Sequence, residues 1–364
     1  MQRPLSVEFL PDTWTNGIVP ATLQGLAAAT RQISLLEILL HTALWTRPPV
    51  VKGFELSVFW AWLRYFPAID DGPPLRLRPE WSELDPHQKT ILSDELGVGV
   101  TTCMLAQHLQ LAEFVDTLYF LRVLLPGQFR LGRTARRGPE KAPDYISRSP
   151  AGGVVVLECK GTQSSRTALE KSIRAGIPQK NNLQRTARGM TPIEHSLVGG
   201  FFIPQASSSE GPLVLFADPE GEELPRLLAD QDPRRVHRAI LQVFLAKVMA
   251  LVGQPALAEE LVNIPLEALE AQEIMPEWQV RFADAPYQVM DQSVTLQPGQ
   301  NPRRARLSLR LTPELRDALS RGSMVAAIDA VAYHDEWGRE VIENRVLHLK
   351  TPHGLEWTLA VEAG

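Results

Sequence analysis

Hydrophobic and polar positions change their period several times along the chain, and each change marks a different element. The run VVVLECK, Val154 to Lys160, is β-branched and apolar, as a buried strand requires, and SPAGG before it supplies turn residues. Together with Pro143 to Arg148 it predicts a β-hairpin. With the turn centred on Ala151, Asp144 and Glu158 are each seven residues from the centre and stand directly opposite one another. Side chains alternate along a strand, so Glu158 and Lys160 share a face while Leu157 and Cys159 point the other way.

Around this hairpin the pattern predicts further elements. Ser93 reads as the N-cap of a helix through DELGVGVTTCMLAQHLQL, with Leu96, Val100, Cys103, Met104 and Leu111 near helical spacing. The apolar run FVDTLYFLRVLL follows as a strand. After the hairpin come a polar helical stretch from Ser165 to about Ala175 and an apolar strand from Ser196 to Ile203. The resulting order is α-β-β-β-α-β. Residues 1–90 read as a helical N-terminal lobe, in which Leu23 to Trp45 has helix composition and SVFWAWLRYF gathers aromatics into an apolar core. Residues 91–260 form the central unit, closed by a long helix with Asp232 as cap and Pro233 at its first position. Residues 261–364 form a small α+β lobe: RARLSLRLT alternates like a strand, TPELRDALSRG reads as a capped short helix ending at Gly322, and a hairpin turns near Trp337-Gly338.

Composition narrows the class. A chain of 364 residues with 44% hydrophobic content can bury real cores in two or three lobes. The N-terminal MQRPLSVEFL lacks the apolar stretch of a signal peptide, and the longest apolar segments are interrupted by Glu37 and His41 and by Lys247, so no membrane span is expected. Both cysteines, Cys103 and Cys159, sit in apolar runs, a pattern that suits a reducing cytoplasm. His334, His348 and His353 lie in the C-terminal lobe without cysteine partners or ligand spacing.

The chemistry is concentrated in the hairpin. Two carboxylates at cross-strand distance repel, and isolated charges leaving water cost several kcal/mol or change protonation state. A hard divalent cation resolves that conflict, and it can activate water and neutralise phosphate charge. At Pro143-Asp144, followed after thirteen residues by Glu158-Cys159-Lys160, the chain resembles the restriction-endonuclease-like PD-(D/E)xK nuclease superfamily. Of the eight lysines only Lys160 has a glutamate two positions earlier. The resemblance implies an α/β fold: an αβββαβ core with a mixed central sheet flanked by helices. It implies that Asp144, Glu158 and the backbone carbonyl of Cys159 bind Mg²⁺, with Mn²⁺ able to substitute, and that Lys160 assists catalysis. It adds Glu95, on the first helix, and Gln179, after the lysine strand, as further candidate catalytic residues.

Charge points the same way. From Arg130 to Met190 thirteen Lys and Arg stand against four acids, a net of +9, whereas the whole chain is −5. A basic tract around an acidic pair suits a polyanion. Arg130, Arg133, Arg136, Arg137, Lys141, Arg166, Lys171 and Lys180 are the candidate nucleic-acid contacts, and Arg130 to Lys141 reads as a loop along the backbone. The expected activity is Mg²⁺-dependent hydrolysis of DNA, in restriction or defence by resemblance, and the expected partner is DNA. Nothing reads a 2′-hydroxyl, so RNA stays an alternative substrate. Cutting both strands favours a homodimer or a partner subunit docked through the C-terminal lobe. The alternative is a non-catalytic nucleic-acid-binding or assembly subunit with a nuclease-like fold.

Overall fold

A computed structural model describes residues 2–27, 30–46, 65–111, 113–120, 130–131, 142–180, 183–184, 193–218, 233–251, 254–264, 288–297, 303–321, 340–343, 346–351 and 354–361. Seven strands form a mixed sheet in the order β2-β1-β9-β8-β6-β5-β3. They are β1 (Gln2–Phe9), β2 (Arg31–Ser34), β3 (Phe114–Asp116), β5 (Tyr145–Arg148), β6 (Val154–Thr162), β8 (Ile193–Phe202) and β9 (Leu213–Ala217). The pairs β1–β9 and β6–β8 are parallel and the rest antiparallel. Two further short strands, β4 (Arg130–Leu131) and β7 (Leu183–Gln184), pair with each other.

The helices are α1 (Ala21–Gln24), α2 (Leu35–Trp45), α3 (Pro86–Leu109), α4 (Thr117–Tyr119), α5 (Arg166–Lys180), α6 (Pro233–Leu251), α7 (Pro255–Asn263) and α8 (Pro313–Ser320). Alternation in β6 and β8 divides the core between the two faces of the sheet. Leu157, Cys159, Leu197 and Phe201 join a cluster with α2 and α3, while Val198 and Phe202 pack with Leu169 and Ile173 of α5. Burying both faces explains why VVVLECK reads as a continuous apolar run and not as an alternating one.

Several expectations change. The long helix starts at Pro86, not after Ser93: Asp85 Oδ1 accepts the His87 N–H at 2.8 Å, and Pro86 sits at the first helical position, where it needs no N–H partner. Ser93 is interior, and its hydroxyl donates to the Thr90 carbonyl at 2.9 Å. Of the run FVDTLYFLRVLL, Phe114–Asp116 is strand and a single helical turn begins at Thr117; residues 121–129 lie outside the described set. The stretch predicted to end near Ala175 continues to Lys180.

The N-terminal segment is not purely helical. β1 lies inside the central sheet, between β2 and β9, and only residues 35–45 of the predicted Leu23–Trp45 helix form a long helix. Of the aromatic stretch, residues 57–64 lie outside the described set, while Tyr65 and Phe66 are buried as core. Pro233 begins α6 as expected, and Asp232 lies outside the described residues.

In the C-terminal part, β10 (Gln288–Gln297), β11 (Arg303–Leu311), β12 (Glu340–Glu343), β13 (Val346–Lys350) and β14 (Leu355–Val361) form an antiparallel five-stranded sheet ordered β10-β11-β14-β13-β12. α8 follows β11, and Thr312 Oγ1 accepts the Leu315 N–H at 3.3 Å, the cap expected from the sequence. The turn placed at Trp337-Gly338, Gly322, His334 and His353 fall outside the described residues. The described hairpin instead pairs Glu343 with Val346. His348 Nδ1 lies 3.5 Å from Glu356 Oε1. Among the described residues no helix is long and apolar enough to cross a membrane.

Candidate metal and catalytic site

The hairpin that positions the site follows from its sequence. Gly152, at φ +92°, takes a left-handed conformation that an L side chain would strain, and the Ser149 and Gly152 N–H groups close the turn at 2.9 Å each. Tyr145 pairs with Leu157, Ile146 with Val156, Ser147 with Val155 and Arg148 with Val154. One step beyond Tyr145–Leu157, the same register sets Asp144 across from Glu158. Asp144 immediately precedes β5, where the Thr117 N–H donates to its carbonyl at 3.0 Å.

Three groups meet there. Asp144 Oδ2 accepts the Cys159 N–H at 2.7 Å. Lys160 Nζ donates to Glu158 Oε1. Glu158 is 1% exposed, and its second oxygen, Oε2, has no well-aligned hydrogen-bond donor among the described residues; the Asp144 backbone N–H has the smallest of the effects that act on this carboxyl. The Cys159 side chain points to the opposite face, where Thr101 Oγ1 lies 3.4 Å from Sγ, so only its backbone accompanies the acids.

Burial, then the Asp144 charge, pushes the Glu158 carboxyl up to about 7, although Lys160 works to lower it. Asp144 is also raised, chiefly by burial, against the Cys159 N–H and Lys160. Burial favours neutral Lys160, yet the Glu158 charge and hydrogen bond, with Asp144, outweigh it and hold the amine above its ordinary value. The two acids thus titrate as a pair that resists double ionisation unless further positive charge arrives.

A buried carboxylate with one poorly served oxygen beside a second acid fits a hard divalent cation, and two carboxylates are the oxygen donors Mg²⁺ takes.

The other anticipated residues are distributed differently. Glu95 lies well inside α3, and its Oε2 accepts from the Tyr65 hydroxyl. The acid whose charge reaches Lys160 is its neighbour Asp94, lifted by burial and lowered by Lys160. Gln179 and Lys180 are the last residues of α5, and their side chains lie outside the described set. Arg166 donates to Glu8 at 2.6 and 3.0 Å and to Glu170 at 3.1 Å, so its guanidinium is already engaged by carboxylates. Lys171 is exposed on the same helix. Arg130 is in β4 with its side chain outside the described set, as are Arg133, Arg136, Arg137 and Lys141 altogether.

Sequence reasoning missed the glycines that frame the site. A Cβ on Gly176 would stand 3.1 Å from Lys160 Cε, 3.2 Å from Val198 Cγ1 and 3.3 Å from Glu158 Cγ. A Cβ on Gly161 would meet the Ser93 carbonyl oxygen at 1.7 Å, and one on Gly97 the Lys160 carbonyl oxygen at 2.4 Å. The signal was present: Gly176 shares the helical face of Leu169, Ile173 and Ile177, where a core-facing residue should be large.

No family model, curated protein or solved structure matches this chain. The class that the fold defines is therefore α/β, with a seven-stranded mixed sheet flanked by helices.

Proposed function

We propose that the chain is a Mg²⁺-dependent nuclease of the PD-(D/E)xK type acting on DNA. The observation that carries this reading is the convergence of Asp144 and Lys160, both partly buried, on the fully buried Glu158 carboxylate. With the single turn α4 and the separate two-stranded pair β4–β7 set aside, the order α3-β3-β5-β6-α5-β8 supports it, because it matches the αβββαβ sequence expected of that superfamily's core.

Asp144 and Glu158 would hold the cation, with the Cys159 carbonyl as a candidate third ligand. When bound, the ion lowers the pKa of a coordinated water and neutralises charge on the scissile phosphate. The Cys159 N–H fixes one Asp144 oxygen, which leaves the other for the metal. Lys160 keeps its proton at neutral pH and presents a cation to the phosphate or the attacking water. Gly176 lets α5 cross directly over this pair without a side chain filling the space.

The test is cleavage of plasmid DNA by purified protein with Mg²⁺, repeated with Lys160→Ala and with chelator. Loss of at least about a hundredfold in rate is expected in both controls, in the range set by removing one electrostatic group from a transition state. Equal cleavage in all three reactions would remove the assignment. Mg²⁺ binding without any cleavage would favour the non-catalytic binding subunit.

A further inference from the structure

A second polar group lies at the α2–α3 interface, on the opposite side of the sheet from Glu158. Glu37 and His41 are one turn apart on α2, and Cys103 faces them from α3; all three are at most 1% exposed. Their ligand atoms lie within 4.8 Å of one another. The helices approach this closely because of Gly99, whose Cβ would meet Thr42 Oγ1 at 2.0 Å and the Ile38 carbonyl at 2.7 Å. Cys103 is one turn beyond that contact, on the same face of α3, and Gln107 a further turn on.

We propose that Glu37, His41 and Cys103 form a three-ligand site for a borderline-soft divalent cation of the Zn²⁺ class, taken up as α2 packs on α3, with a water completing the tetrahedron. Carboxylate, imidazole and thiolate together select Zn²⁺ or Co²⁺ over Mg²⁺, which prefers oxygen alone. Bonds of about 2.0–2.3 Å place tetrahedral ligand atoms roughly 3.5 Å apart, so closing the group needs movements of about 1 Å. Two anionic ligands balance a dication, which makes a fully buried site electrically neutral.

Supporting groups are in place around it. The Gln107 amide donates to Glu37 Oε2 at 2.7 Å. His41 Nδ1 lies 3.0 Å from Thr102 Oγ1, whose own hydrogen goes to the Val98 carbonyl at 2.7 Å. That oxygen can accept Nδ1–H, the arrangement that orients Nε2 toward a metal. Trp45 Nε1, which can only donate, aims its hydrogen at the same Nδ1 at 3.1 Å, so without a cation Nδ1 accepts and Nε2 carries the ring hydrogen; a cation at Nε2 displaces that proton and requires the Trp45 N–H to turn away as Nδ1–H engages Thr102.

The site is independent of the nuclease reading, and so is its test. Full-length protein is refolded with Co²⁺ and passed through gel filtration. One retained equivalent, with tetrahedral visible bands and a sulfur-to-cobalt charge-transfer band in the near ultraviolet, is the expected result. Glu158→Gln should leave the sulfur band unchanged, whatever happens to cleavage. Cys103→Ser should abolish it, and Glu37→Gln should weaken Co²⁺ binding by about tenfold or more, as losing a metal ligand or its support does. Folded wild-type protein without the sulfur band overturns the proposal and leaves a hydrogen-bonded core network. Persistence of the band in Cys103→Ser also overturns it, by moving the thiolate to Cys159. The wild-type spectrum decides the question even if Cys103→Ser does not fold.

Discussion

Glu158 is the residue on which the candidate site turns, and its protonation should be visible in stability. Its folded value of about 7 lies above the ordinary 4.5, so the folded chain holds this proton more tightly than the unfolded chain does. With divalent cations chelated, its contribution is therefore fully present below about pH 4.5 and lost as pH rises through about 7. The size is up to about 3 kcal/mol. Urea midpoints measured from pH 5 to 8 should fall for the wild type and flatten for Glu158→Gln, while added Mg²⁺ should restore the wild type alone at the upper end. An unchanged slope in the variant would refute the burial argument. Lys247 supplies a second residue-scale expectation. It is buried, lies 2.6 Å from Asp116 Oδ2, and sits 5.7 and 5.8 Å from the ring centroids of Trp45 and Tyr145. Lys247→Ala should cost about 3 kcal/mol in urea denaturation by leaving Asp116 without its cation, and Lys247→Met should cost less because it keeps the volume. Equal losses would mean that packing, not charge, holds this corner. That Asp144, Glu158 and Lys160 come together was legible from the hairpin spacing and strand alternation. Asp94 was not, because which acid of α3 faces Lys160 depends on where that helix starts, and the Asp85-Pro86 signal went unread.

Elements meet at glycines here, and two of them should respond to substitution in opposite ways. Gly161 lies against the Ser93 carbonyl, a main-chain atom that cannot yield without separating α3 from β6. Gly161→Ala should therefore lower stability by about 3 kcal/mol or more, as overpacking a rigid contact does. Gly176 faces side chains and not main chain: a Cβ there would stand 3.1 Å from Lys160 Cε, 3.2 Å from Val198 Cγ1 and 3.3 Å from Glu158 Cγ, distances that shifts of a few tenths of an ångström relieve. Gly176→Ala should keep the fold, even gain up to about 1 kcal/mol of helix stability, and still reduce cleavage about tenfold by displacing Lys160. Thermal unfolding and plasmid cleavage on the same samples would separate the two effects; parallel losses in both variants would contradict it. The hairpin register was legible, since SPAGG and a β-branched run leave one centre for the turn. The length of β3 was not: FVDTLYF has strand composition throughout, and tertiary context turns it into a helix after three residues.

For the whole molecule, the position of β1 decides whether the chain divides where its composition suggests. β1 lies between β2 and β9, with Ser6 opposite Leu213 and Phe9 opposite Phe216, and α2 packs on α3. Removing residues 1–90 would expose the edge of β9 and the apolar face of α3. The truncated chain should show no cooperative urea transition by circular dichroism; a sharp transition would restore a separable N-terminal lobe. Local determinants were contained in the sequence: the turn at Gly152, the alternation that sets Glu158 and Lys160 on one face, the cap of α8 and the proline that begins α6. These depend on neighbours a few residues away, whose geometry is dictated by φ, ψ and side-chain period. Which distant strand completes the sheet, which helix covers the acids, and that Glu37, His41 and Cys103 share one interface were decided only by the tertiary structure. Those contacts join residues tens to hundreds of positions apart, and close packing selects among arrangements that the hydrophobic pattern alone leaves equal.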